Sequence, residues 1–178
     1  MHPLLEGQLV RLEEVQPKYF SNIIEWRNDS SNNKYLNQPF LLTMELQKKW
    51  YDEIYLKDQS QGLFVVVDKE NGIPFATMGW TDYDEKLGRC ITGRFLVGNK
   101  SYRGSQNWKE ARRLFDEYLY NKMKVKIVYS HIGIDNIASI RWHEKCGYKM
   151  TNSFMFPEAE HINGVQQKEY VKILGSDK

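Results

Sequence analysis

Two segments of the chain combine cations, a glycine and a helix start in patterns that suit binding chemistry. The first reads Lys100-Ser101-Tyr102-Arg103-Gly104-Ser105-Gln106-Asn107-Trp108-Lys109-Glu110-Ala111. It follows a strand-like run and feeds a helical pattern. Free backbone N–H groups at Ser105, Gln106, Asn107 and Trp108, with the helix dipole behind them, would receive an anion. Gly104 lets the backbone approach a ligand closely. Lys100, Arg103, Lys109, Arg112 and Arg113 surround one acid, Glu110. The same cations also fit a solvated helix face. The second segment reads Asp135-Asn136-Ile137-Ala138-Ser139-Ile140-Arg141-Trp142-His143-Glu144-Lys145-Cys146-Gly147-Tyr148. Asn136 is a good helix N-cap there. His143 shares a helix face with Ser139 and Ile140, and its imidazole has an ordinary pKa near neutrality.

These segments need a scaffold, and the hydrophobic periods supply one. Gln8 to Val15 alternates as a strand. Pro17 opens a helix that puts Phe20, Ile23, Ile24 and Arg27 on one face. Asp29 to Asn33 reads as a polar break, and Thr43 as the N-cap of a second helix carrying Leu46, Trp50 and Ile54. Leu63 to Val67 is continuously apolar, as in a strand buried on both faces. Asn71-Gly72 is a hairpin signal before the return strand Phe75 to Thr81. Cys90 to Val97 is a further strand. Residues 104–121 form a helix with Trp108, Ala111, Phe115 and Tyr118 on one stripe. Val125 to Ile134 is a strand, and Asn136 to Cys146 a helix stopped by Gly147. Two last strands, near 149–156 and 166–174, meet at Asn163-Gly164. The order predicts one domain over residues 1–178 with a mixed α/β sheet.

Composition narrows the function classes. The chain has 178 residues and a net charge of +2, too small a charge to argue for nucleic acid or an anionic membrane. Two cysteines and four histidines without metal-ligand spacing predict no zinc site. No run approaches about 18 apolar residues, and the N-terminus lacks the pattern of a signal peptide. The expected location is the cytoplasm, and the expected state a monomer or homodimer.

The two blocks and the element order resemble the GNAT acetyltransferase superfamily over nearly the whole chain. The family loop reads Arg-Gly-x-Gly-x-Gly or Ala, often followed by Thr-Glu-Ala. Arg103, Gly104, Glu110 and Ala111 match it, while Gln106 and Trp108 stand at the other two small positions. Glu25-Trp26-Arg27-Asn28 and the Asn163-Gly164 turn resemble the branch acting on ribosomal-protein N-termini, polyamines and amino sugars. The resemblance implies a mixed, mostly antiparallel twisted sheet of about seven strands with about four helices.

It also implies a reaction. Acetyl-CoA would donate an acetyl group to the primary amine of a small molecule, with amino-sugar nucleotides favoured, by direct attack in a ternary complex. The other readings are a protein N-terminus as acceptor, or a binding module without catalysis. By resemblance, the backbone of Leu96 and Val97 would pair with the pantetheine arm. Arg103, Gly104, Ser105, Gln106, Asn107 and Trp108 would surround the pyrophosphate, with Trp108 either closing that groove or pointing into the core. Asn136 would reach the cofactor arm, cap its helix, or both. His143 stands where the family has a tyrosine that protonates the leaving thiolate. At the family's base position stands Ile91, with Asp82, Asp84 and Glu85 on the preceding turn. Trp26, Arg27 and Trp80, with Tyr35 and Phe40, are the expected acceptor contacts, or core packing. No metal is expected.

Overall fold

The computed structural model describes residues 2–36, 38, 40–162 and 164–175. In chain order the elements are β1 (Leu5–Glu6), β2 (Val10–Glu14), α1 (Phe20–Asn28), α2 (Ser30–Asn33), α3 (Met44–Trp50), β3 (Gly62–Asp68), β4 (Pro74–Asp84) and β5 (Arg89–Val97). Then come α4 (Gln106–Asn121), β6 (Ile127–Gly133), α5 (Ile137–Lys145), β7 (Lys149–Met150), β8 (His161–Ile162) and β9 (Val165–Ile173). The sheet order is β1-β2-β3-β4-β5-β6-β9-β7, with β8 paired to β9 alone. All pairs are antiparallel except β5 with β6.

The expected mixed, mostly antiparallel α/β sheet is present. It has nine strands where seven were expected, because β1 and β8 are two-residue pieces that no period reveals. The segment 29–33, read as a break, is instead the short helix α2. The Asp29 carboxylate caps it by accepting the Ser31 N–H at 2.8 Å. The strand expected over 149–156 ends at Met150. Beyond it, the Glu169 carboxylate takes the N–H groups of Met155 (2.8 Å) and Phe156 (3.2 Å) and draws the chain off the ladder. Asn163, half of the expected last turn, lies outside the described residues.

Two cores flank the sheet, and β3 feeds both. Phe64 and Val66 face a cluster under α4 and α5 with Trp80, Trp108, Phe115 and Tyr148. Leu63, Val65 and Val67 face a second cluster under α1 with Phe20, Ile23 and Tyr55. The continuous apolar run is thus the mark of a strand covered on both faces. Thr43 caps α3 as expected, its hydroxyl accepting the Leu46 N–H at 3.2 Å.

Glu110 fastens the N-terminal edge of this scaffold. Its carboxylate accepts the backbone N–H groups of Gln8, Leu9 and Val10 at 3.0, 2.7 and 3.0 Å. Burial pushes its pKa up, but these three bonds and Arg113 outweigh burial and hold it below the ordinary carboxylate value. Its contribution is therefore complete above the ordinary carboxylate range and lost as the pH falls through the lowered value. Glu110→Ala should cost about 1.5–3 kcal/mol, the worth of charge-assisted hydrogen bonds, in urea unfolding at neutral pH. The gap between variant and wild type should shrink in acid.

Candidate functional site

The sheet opens between its two parallel strands. β5 and β6 pair only at Arg89↔Ile127, Cys90↔Val128 and Ile91↔Tyr129, yet β5 continues to Val97 and β6 to Gly133. The edge of β5 that faces β6 is unpaired from Thr92 to Val97, the stretch that includes Leu96 and Val97. Two features separate the strands. The β4–β5 register slips between Thr77↔Leu96 and Gly79↔Gly93, with Arg94 at φ 55°. The Thr77 hydroxyl pins this bulge by donating to the Arg94 carbonyl at 2.7 Å. At the crotch, the Thr92 hydroxyl donates to the Tyr129 carbonyl at 3.1 Å, where a ladder bond would otherwise form.

The cation-rich loop stands at the open end. Gly104 has φ 72°, and nothing lies within 4 Å of where a Cβ would sit, so its backbone is open to a ligand. Ser105 caps α4 by accepting the Trp108 N–H at 3.1 Å, and the Ser105 N–H goes to the Tyr102 carbonyl at 3.1 Å. Of the four N–H groups expected to be free, those of Gln106 and Asn107 remain so. Asn107 also anchors the loop, donating Nδ2 to Asp68 at 3.2 Å. Trp108 points into the core and stacks on Trp142 with ring centroids 5.3 Å apart. Its bulk therefore joins α4 to α5, and the groove stays open above Gly104.

The five cations separate on inspection. Arg112 is buried in the core. Lys100 pairs with Asp29 and Arg113 with Glu117. Arg103 and Lys109 have no carboxylate partner among the described residues. Arg103 is placed by Asn32, whose Oδ1 accepts its Nη2 at 2.8 Å. Asn32 in turn donates to the Trp26 carbonyl. The Trp26 ring lies flat on Gly98, where a Cβ would come within 2.1 Å of it. Trp26, expected to touch the acceptor, instead packs behind the segment that leads to the Gly104 loop. Asn136 caps α5, its Oδ1 accepting the Ser139 N–H at 3.2 Å.

His143 does not fit the role of acid. It is 3% exposed. Nδ1 lies 2.8 Å from the Ser139 carbonyl and must carry the ring proton; Nε2 lies 3.1 Å from the Ser130 hydroxyl and accepts from it. Burial first, then Arg112, lower its pKa to about 4, although the Ser139 carbonyl opposes the shift. A neutral ring with both nitrogens occupied has no proton to give. Trp80 is wholly buried among Phe64, Phe115 and Tyr118 and has no surface for an acceptor. Asp84 caps the β4–β5 turn by accepting the Leu87 N–H, and with Asp82 and Glu85 it sits at the closed end of the opening. Ile91 pairs with Tyr129, the last rung before the strands part.

Two arginines occupy the face of the opening covered by α1 and α3. Arg27 donates Nε to Gln38 Oε1 at 2.6 Å. Neighbouring Asn28 clasps Leu42 through both its backbone groups, at 2.9 Å each. The Trp-Arg-Asn run thereby holds the loop between α2 and α3. Tyr35 reaches the other wall, donating its hydroxyl to the Asp135 carbonyl at 3.2 Å. Phe40 is exposed. Arg94 was not legible as a site residue, because a lone arginine in a strand carries no signal of a bulge. Its stem covers Gly79, its guanidinium lies 5.4 Å from the Trp50 ring, and Nη2 donates to Gln61 at 2.7 Å. Nη1 is buried with no partner. Burial, followed by the charge of Arg27, lowers the Arg94 pKa to about 10. A separate hollow of about 920 Å³ lies at the closed end of the sheet, between Glu13, Glu14, Tyr51, Asp58 and Tyr83, away from both loop–helix segments.

Comparison with known proteins matches this architecture. The family model described as an acetyltransferase (GNAT) domain covers residues 10–149. A search of curated proteins finds no match. Among solved structures, a spermidine N-acetyltransferase from Vibrio cholerae in complex with CoA and spermine aligns with a TM-score of 0.78 at 14% identity, covering 94% of this chain and 97% of that one. A GCN5-related N-acetyltransferase from Brucella melitensis aligns at 0.77 and 18% identity, covering 97% and 79%. Apo FdhC, described as a nucleotide-linked sugar GNAT, aligns at 0.75 and 14% identity, covering 97% and 91%. At such identities the structures speak for the fold, while the family model spans most of the chain. The parted strands, the open Gly104 loop and the matched family model agree: the chain belongs to the GNAT acetyltransferase family and is an N-acetyltransferase with acetyl-CoA as its co-substrate.

Proposed function

We propose that the protein acetylates the primary amine of a small molecule that carries an anionic group, a nucleotide-linked amino sugar being the favoured example. Acetyl-CoA, when bound, supplies an activated thioester. The residues present fit it. Gln106 and Asn107 offer free N–H groups at the start of α4, Gly104 leaves the backbone open, and Arg103 and Lys109 supply unpaired positive charge for phosphates. The unpaired edge of β5 through Leu96 and Val97 offers backbone donors and acceptors to an amide-bearing arm. Asn136 stands at the start of α5, just beyond the parted end of β6. Residues 1–178 act in this reading as one domain.

The observation that carries the acceptor class is the pair Arg27 and Arg94. Among the described residues neither cation on this face has a carboxylate within ion-pair distance, and Asp58 and Asp82 act on Arg94 only from farther off. A buried guanidinium nitrogen without a partner costs free energy until a ligand completes it. A phosphate or carboxylate on the acceptor does so, and Trp50 and Tyr35 offer aromatic surface beside it. A polyamine carries only positive charge and would be repelled. A peptide N-terminus lacks a fixed anion near its amine.

Two measurements test this reading. Arg103→Ala should weaken acetyl-CoA about tenfold in calorimetry, the equivalent of about 1.4 kcal/mol, with the fold unchanged. Arg94→Gln should raise KM for a nucleotide-linked amino sugar by about tenfold or more while acetyl-CoA affinity stays the same. An acceptor screen in which spermidine or free peptide N-termini are the preferred substrates would refute the anionic acceptor.

A further inference from the structure

Acetyl transfer needs an amine with a free lone pair, and β5 presents Ile91 where a carboxylate would help to expose it. β6 presents something else. His131 lies two residues past Tyr129, the partner of Ile91. Strand alternation puts Ile91, Tyr129 and His131 on one face. The rings show it, since Phe156 meets Tyr129 at 5.4 Å and His131 at 5.8 Å, both edge-on. The flanking residues Val128 and Ile132 belong to the core under α4 and α5, and Ser130 between the pair meets His143 of α5. His131 therefore stands on the opposite face, where Arg27 and Arg94 lie, and on the part of β6 that has already left β5.

The imidazole is held in one orientation. Its Nε2 is 3.0 Å from Glu169 Oε2, and β9 places Glu169 directly opposite in register. Glu169 is 1% exposed. It also accepts the Met155 and Phe156 N–H groups, so its carboxylate is fixed from three sides. An ionised carboxylate only accepts hydrogen bonds, so Nε2 carries the ring proton and Nδ1 holds a lone pair. Nδ1 has no protein partner among the described residues. It is also absent from the fully buried unpartnered polar atoms, which are Gln47 Nε2, Trp80 Nε1, Arg94 Nη1 and Arg112 Nη1. An oriented imidazole with a free basic nitrogen, backed by a buried carboxylate, is the arrangement a general base needs. The charged groups around it are Glu169 from β9 and, beyond the Phe156 ring, Arg89 of β5 at 5.6 Å from that ring.

We propose that His131, oriented by Glu169, is the general base that takes a proton from the acceptor amine. The proposal rests on the transferase reading above. In the step, the acceptor ammonium gives one proton to Nδ1, and Glu169 stabilises the resulting imidazolium. The amine nitrogen bonds to the thioester carbonyl carbon, and the carbon–sulfur bond breaks with its electron pair leaving on sulfur. A second proton from the same nitrogen ends on the CoA thiolate. The imidazolium returns its proton to water between turnovers.

The test uses the full chain, as wild type and as His131→Gln. In a long-range nitrogen-15 histidine spectrum of the wild type saturated with CoA, His131 should show a protonated Nε2 and a bare Nδ1 at neutral pH. A proton fixed on Nδ1 instead overturns the proposal. With acetyl-CoA and a nucleotide-linked amino sugar, His131→Gln should lower kcat by about 10²–10⁴ at neutral pH. KM for acetyl-CoA should be nearly unchanged. Much of the loss should return as the pH rises toward the pKa of the amine itself, where solvent has already removed the proton. A kcat within about twofold of wild type, or a loss that is the same at every pH, overturns the proposal. Calorimetry with acetyl-CoA separates the failures. If the wild type does not bind it, the transferase reading falls and the base with it. If both proteins bind it and only the pH signature is missing, His131 alone loses its role. If the wild type binds it but acetylates no such sugar, the acceptor reading falls and the spectrum decides His131.

Discussion

Arg112 reaches from α4 into the core and donates Nη2 to the Tyr148 hydroxyl at 2.7 Å. Tyr148 lies 2.7 Å from the Thr92 hydroxyl, which itself donates to the Tyr129 carbonyl at 3.1 Å. Thr92 has one proton, and Tyr129 takes it, so Tyr148 must be the donor to Thr92. Burial, despite Arg112, pushes the Tyr148 phenol up to about 12 and keeps that donor protonated. The chain of bonds runs in one direction from a guanidinium to the carbonyl where β6 stops pairing with β5. It joins α4, β5, β6 and Tyr148, three residues past the end of α5, at the crotch of the opening. Desolvation works against the Arg112 charge, but Tyr148 and Asp116 more than offset it, and its pKa is raised. The rings of Phe95, Trp142 and Tyr148, all within about 5 Å, box the cation in. Such a site is costly to bury, and Arg112 Nη1 is left without a partner, yet the bonds that are made fix one geometry. Here that geometry is the angle at which two strands part.

The opening then divides the labour between its faces. On the side of α4 and α5 most polar groups are buried and paired with one another, His143 among them, although Arg112 Nη1 and Trp80 Nε1 have no partner among the described residues. On the side of α1 and α3 they are left unsatisfied: Arg94 Nη1, the outer nitrogens of Arg27 and the free nitrogen of His131. Hydrogen-bond capacity that a fold leaves unused at a cleft is capacity for a ligand. Solved relatives of the same fold include one described with spermine bound and one described as a nucleotide-linked sugar enzyme. The scaffold is therefore compatible with acceptors of opposite charge.

Several residues singled out by resemblance turn out to be structural, for identifiable reasons. Trp26 packs on Gly98, Trp108 on Trp142, and Glu110 on the first strand turn. Trp26 and Trp108 support the segments on either side of the Gly104 loop, and Glu110 fastens the turn before β2. A motif marks positions that a loop needs, and a loop needs support as much as contacts.

The sequence by itself determined the local elements. The alternation, the apolar run of β3, the caps Thr43 and Asn136 and the glycine at 147 all act within a few residues, so their signals survive in one dimension. It also carried the loop of Arg103 and Gly104 before α4, because a glycine, a cation and a helix start are neighbours in the chain. The tertiary structure alone decided which side chains the fold consumed and which it left free. Arg112 and Arg103 look alike in the sequence, yet one is buried against Tyr148 and the other is exposed. His143 and His131 are both histidines beside a helix or strand, yet Ser130 and Ser139 use up the first, while Glu169, 38 positions away, orients the second. Such choices depend on pairings across the sheet, and no local period encodes a partner so distant.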